Sequence, residues 1–429
     1  MKKIIFVALI VAVIVAGCSE LGLPQETPGP QGTSTPTLET TEPAGPVEQS
    51  TATPERPSTL HVWLPPEFDP KTDTPAGNLL QERLDEFAGR RTGLSVDIRI
   101  KAVDGPGGLL DSLTAASAAA PLALPDLVAL PAPLLETASL KGLIHPFDGL
   151  IETMDNPDWY DYARQLARLQ NSTFGLPFAG DALVLVYRPP AVESPPVNWA
   201  QSLEANHELV FAAADPQALF TLVQYQAAGG DIQDEQGRPA LETDPLVEVL
   251  TFYQSAEASG IMPFWLTQYQ SDEQAWQYFI ENNSDMVVTW TSRFLGAMLA
   301  DTAIAAIPTP EGVPYTLSSG WVWALAAPQA ERQQLGAELA EFLTDSSFMA
   351  RWTQAAGYLP PRPSALKSWS STSLQSTLED VILSAKPYPP TDVLISIGPP
   401  LQQASIEVLK EQAEPTQAAE TAVGSVSAP

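Results

Sequence analysis

The sequence has very little cysteine, histidine and positive charge. Its single cysteine, Cys18, excludes an intramolecular disulfide framework and a cysteine-rich metal site. The three histidines, His61, His145 and His207, have no metal-ligand spacing, so neither a metal nor another cofactor is expected. The 21 lysines and arginines are outnumbered by 51 aspartates and glutamates, which gives a net charge of -30. This charge disfavours nucleic acid and anionic membrane surfaces as partners.

The N-terminus combines a basic start with an apolar segment. Two lysines precede the apolar run 4–16, which is too short for a comfortable transmembrane helix. This pattern predicts an export signal at residues 1–17. The segment VAGC, which ends at Cys18, resembles the bacterial lipobox; that resemblance implies cleavage before Cys18 and lipidation of its thiol at the outer face of the cell membrane. An ordinary signal or an uncleaved anchor is the alternative.

Two segments contain few large apolar residues. Residues 18–57 are rich in threonine, proline, glutamate, glycine and serine, and cannot bury enough apolar surface to offset the entropy of ordering. They are predicted to form a disordered tether behind the lipidated cysteine, with a glycosylated stalk as the weaker alternative. Residues 413–429 are small and polar, and are predicted to form a flexible tail.

Strand and helix signals alternate between these two segments. The predicted strands are 59–64, 95–100, 126–130, 182–187, 208–213, 285–290, 304–308 and 321–327. Helices are predicted between them, for example at 109–120. Asp215-Pro216 and Asp244-Pro245 are each expected to supply an N-cap and a first helical residue. The alternation predicts an α/β fold with helices on the faces of its sheets.

An acidic residue, Asp181, stands at the mouth of the apolar strand 182–187 in FGLPFAGDALVLVYR. Burying an ionised carboxylate is costly unless a partner compensates it. We expect Asp181 to lie where the strand meets a ligand cleft and to hydrogen-bond ligand hydroxyls. The alternative is that it caps a turn beside Gly180.

Several aromatic residues are placed near strand ends, which is where open α/β sheets bind ligands. Flat aromatic faces beside polar groups suit a sugar, although each aromatic alone is more often a core residue. Trp323 points away from Trp321 if their strand is regular, so Trp321 is preferred. The aromatic candidates for ligand contact are Trp63, Phe178, Trp290, Trp321 and Tyr358.

No nucleophile elbow, P-loop or zinc motif is present in the sequence. Acidic pairs such as Glu67 with Asp69 are of the kind that serve glycoside hydrolysis. With 51 acidic residues, however, such pairs arise by chance. The chain is therefore not expected to be an enzyme.

Taken in order, these segments resemble the extracellular solute-binding proteins of ABC importers, the family that includes maltose-binding proteins. TLHVW resembles the first strand of that family, and FGLPFAGDALVLVYR resembles its "YGLP" strand. MVVTWTSRF resembles the strand that ends in a ligand-side tryptophan, and it adds Arg293 to the ligand-binding candidates. SSGWVWAL and GYLPPRPSAL match the late hinge strand and the closing segment. The segment PPEFDPKTDTPAGN departs from the pattern by lengthening the loop after the first strand.

The resemblance implies a type II-like periplasmic-binding-protein fold. Two α/β lobes are joined by strands that cross between them, and the ligand lies in the cleft. Lobe one is expected at 58–180 plus 317–362, and lobe two at 181–316 plus 363–412. Binding then closes the lobes by a hinge motion, and the closed form docks on a membrane permease.

The favoured hypothesis is a monomeric, lipid-anchored binding component of an importer that captures a mono- or oligosaccharide. A polyamine or another cation is an alternative ligand, because Asp181 and the aromatic faces are able to hold one. An extracellular glycosidase would need two carboxylates facing each other across the cleft. A structural or adhesive surface lipoprotein with no small ligand is the third alternative.

Overall fold

The computed structural model describes residues 59–426, so the predicted signal peptide, Cys18 and the tether lie outside the described residues. The strands are β1 Thr59–Leu64, β2 Ser95–Ile100, β3 Leu127–Pro131, β4 Arg168–Leu169, β5 Ser172–Thr173, β6 Leu176–Tyr187, β7 Leu209–Val210, β8 Met286–Trp290, β9 Ala303–Ala305, β10 Thr316–Leu325 and β11 Ala385–Pro387.

The helices alternate with these strands, as the sequence predicts. They are α1 Pro75–Gly89, α2 Leu109–Ala119, α3 Pro133–Leu140, α4 Asp161–Ala167, α5 Trp199–Ala205, α6 Leu219–Ala227, α7 Thr243–Ala258, α8 Asp272–Ile280, α9 Thr291–Ala297, α10 Ala330–Leu343, α11 Ser346–Ala356, α12 Pro363–Leu366, α13 Thr372–Ser384, α14 Thr391–Leu409 and α15 Pro415–Val426. None of the helices between residues 59 and 426 is long and apolar enough to cross a membrane.

The main sheet has the strand order β2-β1-β3-β10-β6-β8-β7, with β11 beside β10 and β9 beside β6. Strand β1 pairs in parallel with β2 and β3, and β7 pairs in parallel with β8. Strand β10 runs antiparallel to both β3 and β6. Two groups of parallel strands are therefore connected through the antiparallel pair β6–β10.

Strand β6 changes its pairing partner in the middle. Its first half pairs with β10 up to Ala182↔Ser318. From Leu183↔Trp290 onward it pairs with β8 and β9. The strand thus runs from one group of parallel strands to the other, as expected of a lobe-crossing strand. The partner change lies two residues after the expected lobe junction at 180/181, and the lobe limits themselves stay a prediction.

The side chains of β1 alternate between two apolar clusters, because successive residues of a strand point to opposite faces. Leu60, Val62 and Leu64 join the larger cluster, in which helices α1 and α4 are packed. Trp63 joins a smaller cluster on the other face, with Leu109 of α2 among its members. Helices cover both faces of this part of the sheet.

The C-terminal segment corrects the expectation of a flexible tail at 413–429. Residues Pro415–Val426 form α15, which packs against α14 and α7. Ala418, Ala419 and Ala422 are buried in that contact. Alanine is the best helix former and lets two helices approach closely, so a segment of small residues is ordered here by packing.

The two Asp-Pro pairs also differ from the expectation. Helix α6 begins at Leu219. The carboxylate of Asp215 accepts hydrogen bonds from the backbone N–H of Gln217, in the turn before the helix, and from that of Leu219 itself. Helix α7 begins at Thr243, so Asp244 lies inside its first turn. Neither aspartate is the N-cap. Strand β7 also covers only two residues of the predicted strand 208–213.

Candidate ligand-binding site

A pocket of about 200 Å³ opens at the carboxyl ends of the parallel strands β7 and β8. Ligands of open α/β sheets bind at this edge. The pocket is lined by Leu183, Phe211, Ala212, Asp215, Gln217, Leu219, Phe220, Gln270, Ser271, Asp272, Val288, Trp290 and Tyr388. The volume is below the roughly 300 Å³ at which pockets for drug-sized ligands begin, so the pocket has room for a small part of a ligand.

Two partly buried aromatic side chains stand side by side in this pocket. Trp290 is the last residue of β8, and Tyr388 follows β11 directly. Their ring centroids are 6.4 Å apart and their planes meet at 28°. The Tyr388 hydroxyl donates a hydrogen bond to the side-chain oxygen of Gln217. This pair offers flat apolar faces next to a polar rim.

The pocket also carries two carboxylates. Burial is the main cause that raises the pKa of Asp215, and the charge of Asp272 adds to it. The backbone hydrogen bonds from Gln217 and Leu219 lower the pKa, but burial and Asp272 outweigh them. Asp272 begins α8 and accepts a hydrogen bond from Nε of Arg293 at 2.7 Å. Burial and the charges of both aspartates raise the pKa of Tyr388, which keeps its hydroxyl protonated. The pocket therefore combines two aromatic rings with two carboxylates, of which Asp272 is paired with Arg293.

Arg293 connects this pocket to a second group of side chains. Burial lowers its pKa, but the hydrogen bond and charge of Asp272 and the charge of Glu273 outweigh that effect and raise it. The positive charge of Arg293 also acts on Tyr358, which follows α11. Burial raises the pKa of Tyr358, as do the charges of Asp181 and Glu67. Charged groups from β6, from the turn after β1 and from α9 thus act on Tyr358.

Asp181 has different partners from those expected. Strand β6 begins at Leu176, so Asp181 is its sixth residue and does not precede the strand as predicted. Its Oδ1 accepts hydrogen bonds from the Thr291 hydroxyl at 2.6 Å and from the N–H groups of Ser292 and Ala182, both at 3.0 Å. Its Oδ2 accepts from the Ser292 hydroxyl. The carboxylate therefore holds the first turn of α9, and burial raises its pKa to about 6.

Trp321 and Tyr358, both partly buried, are brought together by the structure. Burial is the main cause that raises the pKa of Tyr358, and the nearby Trp321 side chain lowers it. The ring of Phe68 packs edge-on against both, with centroid distances of 5.0 Å to Trp321 and 5.6 Å to Tyr358. Trp290 belongs to the other pocket and is not in ring contact with this pair.

Two of the aromatic candidates are core residues, which corrects the sequence-based expectation. Trp63 is 4% exposed and packs in the smaller apolar cluster, with the Lys101 ammonium 5.0 Å from its ring. Phe178 is 2% exposed and stacks on Trp323 at 4.3 Å. Both lie within strands covered by helices, so neither ring is open to a ligand.

The strand that contains Trp321 also differs from the expectation. Trp321 and Trp323 lie in the middle of β10 and do not open it. The register with β6 shifts between Trp321 and Val322, so the simple alternation is interrupted there. Trp321 is in contact with both apolar clusters, whereas Trp323 belongs to the larger one.

Several site residues were not among the sequence-based candidates. Asp215 had a usable signal, because it lies two residues after the end of the predicted strand 208–213 in an α/β pattern. Asp272, Tyr388 and Phe68 had none, since each reaches its place through tertiary packing of a loop or a helix start. Among residues 59–426, no group of three or more histidine, cysteine or acidic side chains is arranged to hold a metal ion.

Comparisons with known proteins agree with this architecture. The cyclic α-maltosyl-1,6-maltose-binding protein of Arthrobacter globiformis is 18% identical, covers 86% of this chain and 97% of its own, and has a TM-score of 0.71. Maltose-bound MalE3 of T. maritima is 17% identical. The match covers 86% of this chain and 98% of MalE3, with a TM-score of 0.66. An ABC transporter solute-binding protein of Thermotoga lettingae bound with α-D-tagatose is 19% identical, with 86% and 98% covered and a TM-score of 0.65.

These likenesses show the fold, which is the two-lobed α/β fold of sugar-binding proteins. No curated protein sequence matches this chain significantly. The family model of bacterial extracellular solute-binding proteins matches residues 82–376, well over half of the chain. The chain therefore belongs to the bacterial extracellular solute-binding proteins.

Proposed function

We propose that this protein captures a carbohydrate between its lobes and delivers it to the permease of an ABC importer. The observation that carries the proposal is the pocket at the ends of β7 and β8, where Trp290 and Tyr388 lie beside Asp215 and Asp272. Sugars present apolar C–H faces to aromatic rings and hydroxyls to carboxylates. The sugar-bound structures of the same fold support this ligand class.

The proposed site has a face in each lobe. Trp290 and Arg293 contribute from lobe two, and Trp321 and Tyr358 contribute from lobe one. Asp181 has a positioning role, because its oxygens are bonded to α9. The lobes pivot about β6 and β10, which connect them. The proposal includes no catalytic step, since Asp272 is paired with Arg293 and Asp215 is held by backbone N–H groups.

A cationic ligand such as a polyamine is the second candidate. Two carboxylates and two aromatic rings in one small pocket favour a cation as well as a hydroxyl. Arg293 neutralises one of these carboxylates and reduces that preference.

A thermal-shift panel separates these candidates, because a ligand raises the unfolding temperature by mass action. The panel contains mono- and oligosaccharides, spermidine and putrescine. At least one sugar is expected to stabilise the protein. Stabilisation by polyamines alone contradicts the sugar proposal, and release of reducing sugar from the oligosaccharides contradicts the non-enzymatic one.

We further propose that lipid on Cys18 tethers a monomeric binding domain to the outer face of the cell membrane. Cys18→Ser removes the acceptor thiol, so the variant is expected in the soluble fraction while the wild type sediments with membranes. A wild-type protein whose mass shows no lipid on Cys18 contradicts the anchoring. Elution above the monomer mass in size-exclusion chromatography contradicts the monomeric state.

A further inference from the structure

The lengthened loop after β1 places a phenylalanine among the aromatic residues of lobe one. Phe68 lies in the short 3-10 turn Pro66–Phe68 and is only 4% exposed. Its ring contacts the partly buried Trp321 and Tyr358 edge-on. It also contacts Phe178 at 5.3 Å and Trp352 at 5.4 Å. Phe68 therefore lies between two partly buried rings and a buried aromatic group.

The loop holds Phe68 in a fixed place. Pro65 and Pro66 restrict the backbone at its start, and the Phe68 N–H donates to the Pro65 carbonyl at 3.1 Å. Asp69 then accepts hydrogen bonds from the Lys71 N–H through its carboxylate and from the Thr72 hydroxyl through its carbonyl. These hydrogen bonds restrain the loop, so the Phe68 ring is expected to stay in place when a ligand binds.

The space behind Phe68 has features of a closed binding subsite. A residual cavity of about 10 Å³ remains there, with room for at most one water. It is lined by Phe68, Leu80, Phe178, Trp323, Leu343, Phe348 and Trp352. The indole N–H groups of Trp323 and Trp352 are buried and have no hydrogen-bond partner. Buried donors are nearly always bonded, so these two N–H groups, on residues that line the cavity, are unused donors.

We propose that Phe68 determines ligand size: its ring closes an aromatic subsite behind Trp321 and Tyr358 and so limits the ligand to a short sugar. This inference rests on the proposed carbohydrate-binding function. Removing the ring opens the chamber toward the cleft. An additional sugar unit would then meet the aromatic walls, and its oxygens would accept hydrogen bonds from the indole N–H groups.

Calorimetric titration with α-1,4-linked glucose oligomers of one to four units tests the proposal. Phe68→Ala is expected to raise the affinity for the three- and four-unit oligomers, relative to the shorter ones, at least tenfold. Phe348→Ala is the matched control, because Phe348 lines the same cavity, is 3% exposed, and is not in ring contact with Trp321 or Tyr358. It should keep the wild-type order of affinities.

Acrylamide quenching of tryptophan fluorescence gives a readout that needs no sugar. Phe68→Ala should expose Trp323 and Trp352 to the quencher, and Phe348→Ala should not. If Phe68→Ala does not fold, Phe68→Leu is expected to give a smaller change in the same direction. Unchanged length preference and quenching in the Phe68 variants, or equal changes in Phe348→Ala, overturn the proposal. If no sugar binds the wild type, the carbohydrate function fails, and the quenching comparison alone decides whether Phe68 closes the chamber.

Discussion

Asp181 in strand β6 and Ser292 in helix α9 are joined by two hydrogen bonds. The Ser292 N–H donates to Oδ1 at 3.0 Å, and its hydroxyl donates to Oδ2 at 2.5 Å. Strand β6 connects the two groups of parallel strands, and α9 begins directly after Trp290. This pair therefore fixes the segment Trp290–Arg293 to the strand that connects the two groups of parallel strands.

The Asp181 carboxyl should make the stability of the protein depend on pH. Its pKa is raised from 3.8 to about 6, so the folded state binds the proton more tightly than the unfolded state. The free energy of unfolding contributed by this group therefore falls as pH rises through this range. Asp181→Asn removes that dependence. In urea titrations, the free energy of unfolding of the wild type minus that of Asp181→Asn should fall by up to about 3 kcal/mol between pH 4 and pH 7. A difference that is flat with pH contradicts this assignment.

Gly320 is expected to tolerate no side chain. It lies opposite Gly180 in the β6–β10 pair, and a Cβ on Gly320 would lie 2.4 Å from the Ala179 carbonyl oxygen. Because a backbone atom cannot move aside cheaply, Gly320→Ala should lower the free energy of unfolding by about 1–3 kcal/mol. Gly89→Ala is the control, since no atom lies within 4 Å of that Cβ. Equal denaturation midpoints for the two variants would contradict the close approach of β6 and β10 at Gly320.

Trp290 should contribute to binding and little to folding. Trp290→Ala removes an aromatic wall of the pocket, so the dissociation constant of the best sugar should rise at least tenfold, or about 1.4 kcal/mol. Titration calorimetry measures this change, and circular dichroism checks that the variant is folded. Trp265→Ala serves as the control, because Trp265 is not among the pocket-lining residues. An unchanged dissociation constant for Trp290→Ala would remove this residue from the site.

The buried carboxylate of Asp126 should be important for stability. Asp126 is 1% exposed, pairs with the guanidinium of Arg332, and accepts a hydrogen bond from the His61 N–H at 2.6 Å. Asp126→Ala leaves these donors without their acceptor, which costs about 3–5 kcal/mol for a fully buried pair. The lower end is expected, since the Arg332 side chain is 25% exposed. Chemical denaturation measures the loss in free energy of unfolding. Arg90→Ala is the control, because Arg90 forms an exposed ion pair with Glu86. An equally small loss for Asp126→Ala would contradict this prediction.

Local sequence patterns predicted much of the fold. The bounds of β1 and β2 agree with the predicted 59–64 and 95–100, and α2 ends one residue before the prediction. These elements have a clear hydrophobic period, and packing reinforces it. The helix α15 was missed because alanine-rich, polar sequences become ordered only when a partner surface is available.

The site was harder to predict than the fold. Trp290 ends its strand as expected, because strand ends are visible in the sequence. Burial of Trp63 and Phe178 depends on which helices cover each face, and strand alternation does not contain that information. Phe68 reaches its partners from a proline-rich loop without periodicity, so these ring contacts are visible only in three dimensions.

We propose above all that a sugar occupies the pocket at the ends of β7 and β8. Hydrogen–deuterium exchange with and without the best sugar of the panel tests this most directly. Peptides covering residues 211–217 and 270–272 are expected to gain protection. A separate surface groove, lined by Asp104, Asp111 and Lys141, should stay unchanged. Protection confined to other regions, or no protection with any sugar, would contradict the account.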